Sequence, residues 1–464
     1  MPKGNFTHPY IPNSEPGVKA EMLRATGAVS IDDYYEDIPE DLRLREGLKL
    51  PEPILSENNL VRHVEALLAE NKDTREYLSF LGAGCWQHHV PAICDEINSR
   101  SEFLTAYAGE PYDDHGRFQA LFEYQSMMGE LLNMEVVNVP TYDGFQASAT
   151  ALRMAARITG RKEVLIPRTV NPDKMSKILD YLKPDLQIKI LDFDRTTGSI
   201  GLDSYARNLS EETAAVYFEN PSFLGFIEVQ APEIAELAHQ HGSLCVVSVD
   251  PISLGVINPP IEYGADIACG DIQPLGMHMQ YGGGQAGFIA TRDEVKYVME
   301  YPSRLFGIAP TIVEGEYGFG DVAYERTSFA KREGGKEWVG TASALWGITA
   351  GVYLALMGPR GMFEVGEGIM QRTRYAMKRV AEIKGIKVFF ADSHHFKEFV
   401  VNFDDTGKTV ADVNKELLRQ EIFGGKDLSR DLPELAESAL YCITEIHSQQ
   451  DIERLVNGLA EVTG

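Results

Sequence analysis

The sequence predicts an α/β protein with a mostly parallel sheet in a large domain, followed by a smaller C-terminal α+β domain. Between about residues 163 and 291, short apolar runs alternate with amphipathic helical runs, the pattern of strands covered on both faces by crossover helices. After residue 350 a long helical stretch leads into "KEFVVNF" and "ALYCITE", spaced as strands of a second sheet. The 464 residues also exceed one core, since domains split beyond about 250 residues. The expected division is an N-terminal arm over 1–60, a large domain with a helical frame over 61–345, and a small domain over 346–464.

The arm is rich in Pro, Asp, Glu and Tyr, with a short helix expected over Ile31 to Tyr35; such a segment packs on another chain rather than folding alone. "LVRHVEALLAENK" and "GRFQALFEYQSMMGELLNM" place apolar residues at i, i+3 and i+4 and read as helices. The sheet opens with the strand "EVLIP", followed by the helix "DKMSKILDYLK" and the strands "IKILDFD" and "AAVYFE". A helix started by Pro232 puts Ile234, Leu237 and Ala238 on one face, and Gly242 stops it before the strand "LCVVSVD". In such sheets ligands bind beyond the carboxyl ends of the strands.

Composition narrows the function classes. A formal net charge of −26 repels phosphate-rich partners, so neither nucleic acid nor an anionic membrane surface is expected. No run approaches the roughly 20 apolar residues a bilayer requires, and no leader is evident, so a cytoplasmic location is expected. The five cysteines stand apart and are odd in number, which argues for free thiols rather than a disulfide framework. The pairs His88-His89 and His394-His395 are adjacent rather than at i,i+4 spacing, so no metal is expected. There is no GxSxG elbow, P-loop or strand-following GxGxxG, which removes the main support for hydrolase and nucleotide readings.

Four places carry the remaining chemistry. Asp250 ends "LCVVSVD", where a carboxylate can pair with the protonated ring nitrogen of pyridoxal phosphate; its plainer role is to cap the turn before Pro251. Asp143-Gly144 opens a helix whose free N–H groups suit a phosphate, although Asp-Gly is also ordinary cap chemistry and Phe145 places a bulky ring there. "ENPSFLGFIE", residues 219–228, turns out of a strand. "YGGGQAGF" carries Gly282, Gly283 and Gly284, which permit close backbone approach to an anion, or else form a tight turn into a strand.

An enzyme of this kind carries its aldimine lysine between the ring-binding aspartate and the glycine cluster. Here no lysine occurs between Lys189 and Lys296, and Lys331 and Lys336 lie well outside the interval. Without that amine no internal Schiff base forms. The chain is therefore expected to hold no catalytic residue of its own.

The runs "SIDDYYEDIP", "LSENNLVRHVEALLAENK", "FLGAGCWQHHVPAICDEINSRSEFLTAY", "GRFQALFEYQSMMGELLNMEVVN", "YDGFQAS", "GVYLALMGPRGM" and "IFGGKDLSRDLPELAESALYCITE" resemble the alpha subunits (subunit 1) of two-subunit glycine decarboxylases, the P-proteins of the glycine cleavage system. The resemblance extends from about residue 30 to the C-terminus. It implies a fold-type I pyridoxal-phosphate-dependent transferase-like fold and an oxidoreductase complex, in which a homologous lysine-bearing beta subunit holds the cofactor covalently. It also implies an α2β2 assembly, an isolated chain without activity, and transfer of glycine's aminomethyl group to the lipoyl carrier H-protein with release of carbon dioxide.

Carried over by position, the resemblance places Gly82, Gly84, Cys85 and His88 in a loop near the active-site entrance. It makes Gly282, Gly283 and Gly284 a segment reaching the neighbour's cofactor phosphate, and leaves Asp143, Gly144 and Asp250 as a vestigial cofactor wall. The chain departs from the family at "AGEPYDDHG", where T-P-Y-Q-P-E is usual, at "TSFAKREGGKEWVGTAS" and at "QPLGMHMQYGGGQAG". These departures leave open a paralogous complex acting on another amino acid or amine, and a structural or regulatory pseudoenzyme.

Overall fold

The computed structural model describes residues 7–44, 46, 48–103, 115–337, 339 and 343–464. Most of the divergent 108–115 stretch, and positions 338, 340 and 341 of the 327–341 stretch, lie outside the described residues. The chain divides into two compact units, Met1–Lys72 and Asp73–Gly464.

The first unit holds the helices Pro16–Ala25 and Glu57–Leu68 and a 3-10 turn over Ile31–Tyr35. Ser30 and Asp33 form a capping box at that turn, and Ser56 caps the second helix. Neither helix buries a side chain, and Leu60, Val61, Val64, Leu67 and Leu68 are exposed.

In the second unit seven strands form one sheet, in the spatial order Val136–Val137, Gly287–Thr291, Ile267–Asp271, Leu244–Ser248, Thr213–Glu219, Glu163–Pro167, Gln187–Leu191. The last five run parallel, while Gly287–Thr291 is antiparallel to Ile267–Asp271 and Val136–Val137 is antiparallel to it in turn. Side chains alternate between the two faces, as the strand period requires. Leu165, Cys245 and Val247 join the core beneath the helix Ala231–Gln240, and Val164, Ile166 and Val246 join the core beneath the helix Gly144–Thr159. Because both faces are covered, the strands read as continuous apolar runs.

Two strands stop short of their apolar pattern for visible reasons. "IKILDFD" leaves the sheet at Leu191, because Asp194 accepts hydrogen bonds from the N–H groups of Thr196 and Thr197 and turns the chain. "LCVVSVD" leaves it at Ser248, because Pro251 has no N–H to donate and Asp250 Oδ1 accepts from Ile252 N at 2.9 Å.

A helical run over Ala344–Ala381, broken at Gly358 (φ 58°) just before Pro359, leads to the second sheet. That sheet orders Lys387–Val388, Glu398–Asn402, Ser438–Cys442 and Lys426–Asp427, all antiparallel. Its core sets Phe399, Val401 and Tyr441 against Leu417 of the helix Val410–Arg419 and Leu455 of the helix Gln449–Thr463. The start of the Glu398–Asn402 strand faces the carboxyl edge of the large sheet, and the candidate site lies there.

Candidate functional site

The carboxyl ends of the parallel strands bring Glu219, Ser248, Asp250 and Asp271 together with the first turn of the Gly144–Thr159 helix. Lys397 and Glu398 enter the same space from the small sheet, and Trp86 enters from the loop 82–89. The cavity among them is about 70 Å³.

At the helix start, the backbone donors are already engaged by carboxylates. Gly144 N donates to Asp271 Oδ2 at 2.8 Å, and Gln146 N donates to Asp143 Oδ1 at 2.6 Å. Asp143 also pairs with Lys177. Asp271 Oδ1 accepts from Gln273 N and Ala286 N, and burial raises its carboxyl to about 6. Phe145 covers the turn, with the ammonium groups of Lys174 and Lys177 at 5.8 and 5.2 Å from its ring centre. A Cβ on Gly144 would sit 2.9 Å from the Asp271 backbone N, so only glycine lets this turn meet the strand end.

Asp250 takes up the capping role, and its other oxygen faces a cation of the chain itself. Its Oδ1 caps the following turn, while Oδ2 receives no hydrogen bond and faces the Lys397 ammonium as an ion pair. Lys397 is 2% exposed as a side chain. Its Nζ lies 3.4 Å from the Trp86 ring centre and 3.3 Å from His88 Nε2. An ammonium can only donate, so His88 accepts on Nε2 and offers its Nδ1–H to Glu445 Oε2 at 2.8 Å. Deeper in, Lys174 pairs with Glu219 and donates to Ser248 Oγ at 3.1 Å. Burial alone would lower the Lys174 pKa, but the Glu219 carboxylate outweighs it and the pKa is raised.

The loop 82–89 is held from three sides. Gln273 accepts from Trp86 N at 3.1 Å and donates to Trp86 O at 3.0 Å, and Gln285 donates to Gly84 O at 2.7 Å. Asn171 donates to Ala83 O at 2.8 Å. From the small sheet, Glu398 accepts from Ala83 N at 2.6 Å and Glu445 from His89 N at 2.7 Å. Burial raises the Glu398 carboxyl to about 7 and the Cys85 thiol to about 11. Gly82 is packed so closely that a Cβ would lie 2.5 Å from Glu398 Oε1 and 2.8 Å from Cys442 Cβ.

Among the residues singled out in the sequence, Gly84, Gly144 and Asp250 line one cavity; Asp143 precedes Gly144, Gly82 packs against Glu398 and His88 meets Lys397, while the Cys85 thiol turns to Met279 O at 3.8 Å. The glycine triplet sits apart. Gly282 and Gly283 are exposed, while Gly284 is buried with His278 O 2.4 Å from the place of its Cβ. Gln280, Tyr281 and Gly282 in succession have positive φ, and Tyr281 is fully exposed. Among the described residues, no group of three His, Cys, Asp or Glu side chains could hold a metal ion, and no helix is long and apolar enough to cross a membrane.

Glu219 and Asp271 are the last residues of their strands, as Asp250 closes the apolar run "LCVVSVD", so the same logic of acidic run ends finds them in "AAVYFE" and "ADIACGD". Trp86 and Lys397 carry no such signal.

The cavity does not fit a pyridoxal phosphate molecule. Ligand pockets run to about 300–1,000 Å³, far above the space here, and both anchoring positions are engaged by the chain's own carboxylates and ammonium.

A model of the family described as glycine cleavage system P-protein matches residues 8–459. The chain belongs to this family. Its P-protein relatives include the probable glycine dehydrogenase (decarboxylating) subunit 1 of Staphylothermus marinus, 40% identical over 98% of each chain, and the protein of that name from Geobacillus kaustophilus, 38% identical over 98% of this chain and 99% of that one. A crystal structure of glycine decarboxylase (P-protein) of the glycine cleavage system in inhibitor-bound form superposes with a TM-score of 0.81 at 32% identity, covering all of both chains. The sphingosine-1-phosphate lyase of Burkholderia pseudomallei shares the fold, with a TM-score of 0.64 at 13% identity over 90% of this chain and 92% of that one.

Proposed function

We propose that this P-protein chain is the alpha subunit of a glycine decarboxylase, shaping an active site whose aldimine lysine belongs to a homologous beta subunit. The observation that carries the reading is the loop after Ile267–Asp271, which bears Gln273 and no lysine, next to a cavity whose Asp250 is paired with Lys397. The full-length match to proteins named subunit 1 supports a companion chain. Pyridoxal phosphate, held by the companion, supplies the electron sink for decarboxylation.

This chain's own contribution is positional. The loop 82–89 is fixed at the meeting of the two sheets, and the exposed loop around Tyr281 to Gly283, whose Gly282 and Gly283 N–H groups donate to Met279 O and Gln280 O within the loop, approaches the companion's cofactor phosphate by its glycine backbone. The unpaired apolar face of Glu57–Leu68 suits burial on the companion in an α2β2 assembly, and the lipoyl arm of the H-protein takes the aminomethyl group.

The test is exchange of labelled bicarbonate into the carboxyl carbon of glycine, with lipoyl carrier present. The expected result is no exchange by either subunit alone and restored exchange on mixing. Full exchange by the companion alone would remove the role proposed for this chain.

A further inference from the structure

The geometry points to Lys397 as an internal occupant of the old cofactor site, with its ammonium standing beside Asp250 where a protonated ring nitrogen would stand and Asp271 standing at the helix start where a phosphate would stand. The inference rests on reading this cavity as a cofactor site, and goes beyond that reading in naming what fills it and what the filling does.

Four observations converge on Lys397. First, its ammonium is enclosed by the Trp86 ring, His88 Nε2 and Asp250 Oδ2, an aromatic face, an imidazole acceptor and a carboxylate counter-charge, so the buried charge is compensated by each of the groups around it. Second, the four residues come from three parts of the unit: Asp250 from the end of the large sheet, Trp86 and His88 from the loop 82–89, and Lys397 from just before the small-sheet strand Glu398–Asn402. Third, Lys397 has φ 49°, a left-handed conformation that a lysine adopts at a cost, and it sits immediately before the strand. Fourth, the other anchoring position is filled in the same sense, by an anion: Asp271 accepts Gly144 N as a phosphate oxygen would.

An ordinary cofactor enzyme leaves the cation and the anion of this pair to a diffusible molecule. Here both charges are covalently part of the chain. The consequence is that the small sheet and the loop 82–89 are tied to the large sheet permanently, in an arrangement that does not depend on ligand. Lys397 is thus a positioning residue: it touches no substrate, and holds the loop 82–89 in register with the edge of the large sheet.

A double-substitution cycle tests this in the full-length chain purified with its companion subunit. Lys397→Met keeps the stem over Trp86 and removes the charge, leaving Asp250 buried and unpaired. Asp250→Asn keeps the acceptor for Ile252 N and leaves Lys397 unpaired. Each alone is expected to lower the thermal midpoint by about 4–6 °C, and the double variant to lose less than either, because it buries no lone charge. The more exposed pair Lys426–Asp431, whose atoms are 2.8 Å apart, serves as control: Lys426→Met and Asp431→Asn should give small losses that add. Additive losses at Lys397 and Asp250 would overturn the proposal.

A second measurement needs no variant to fold. Reductive methylation of the native complex, followed by peptide mass analysis, should modify exposed Lys384, Lys387 and Lys408 and leave Lys397 unmodified until the chain is denatured. Modification of Lys397 at the rate of Lys387 would overturn it. Neither readout depends on glycine turnover, so failure here is distinct from failure of the proposed activity.

Discussion

Gln273 grips both backbone polar groups of Trp86, accepting from its N–H at 3.1 Å and donating to its carbonyl at 3.0 Å. The same amide nitrogen also donates to Met277 O at 3.0 Å, so one buried side chain ties the turn after the Ile267–Asp271 strand to the loop that carries Trp86. Replacing it with alanine leaves two carbonyls and one N–H without their partner. Gln273→Ala is expected to lower stability by about 2–4 kcal/mol, read as a shift in the urea midpoint. A loss below about 0.5 kcal/mol, the size of ordinary surface changes, would show that Trp86 is held by other contacts.

Glu398 ties stability to pH. Burial raises its carboxyl from 4.5 to about 7, so between those values the folded chain binds more protons than the unfolded one. Stability from this group is therefore complete below pH 4.5 and is lost as pH rises through 7. Asp271, raised by burial to about 6, acts in the same direction. Glu398→Gln keeps an acceptor for Ala83 N and removes the titration. The variant is expected to gain on the wild type as pH rises from 5 to 8, by at most about 3 kcal/mol, in thermal midpoints measured across that range. A difference that does not change with pH would contradict the burial argument.

The glycines separate packing from function. A Cβ on Gly82 meets Glu398 Oε1 at 2.5 Å and Cys442 Cβ at 2.8 Å, whereas one on Gly283 meets nothing nearer than Gln280 O at 3.4 Å, at φ −102°. Gly82→Ala should cost about 1–3 kcal/mol by overpacking. Gly283→Val should leave the urea midpoint of this chain within about 0.5 kcal/mol and weaken cofactor retention by the companion, read as cofactor released on dialysis of the mixed complex. Unchanged retention in an intact complex would remove the role proposed for the triplet across the interface.

Thiol chemistry offers a check on the interior. Burial raises Cys85, Cys94 and Cys269 to about 11, so roughly a thousandth of each is thiolate at pH 8, and it pushes Cys245 and Cys442 well above the usual thiol range. A disulfide reagent should react slowly with the native chain and release five equivalents in urea, matching its five cysteines. Fast native reaction at Cys85 would mean that the loop 82–89 opens.

The large sheet is legible because its strands are buried on both faces, so "EVLIP", "AAVYFE" and "LCVVSVD" stand out as unbroken apolar runs, and strand-end logic then leads to Asp250. Of the two readings of Asp250 the turn cap is present, while its other oxygen faces Lys397 of the same chain rather than a ring nitrogen. The missing lysine is legible because it is a property of one interval. Lys397 is not. It precedes "EFVVNF" as an ordinary polar residue at a strand edge, and only the folding of the small sheet against the large one turns it inward. Asp143-Gly144 shows the converse: helix-start chemistry is visible, but that Asp271 takes up the Gly144 N–H depends on a strand far along the chain.

The central claim is that this chain shapes a cofactor site whose amine lies in another subunit. Borohydride reduction of the glycine-active complex of this chain and its companion, followed by peptide mapping of the fixed pyridoxyl group, tests it most directly. The account predicts a single pyridoxyl-lysine on the companion and none on this chain. A pyridoxyl group on Lys397 or Lys174 of this chain would contradict it.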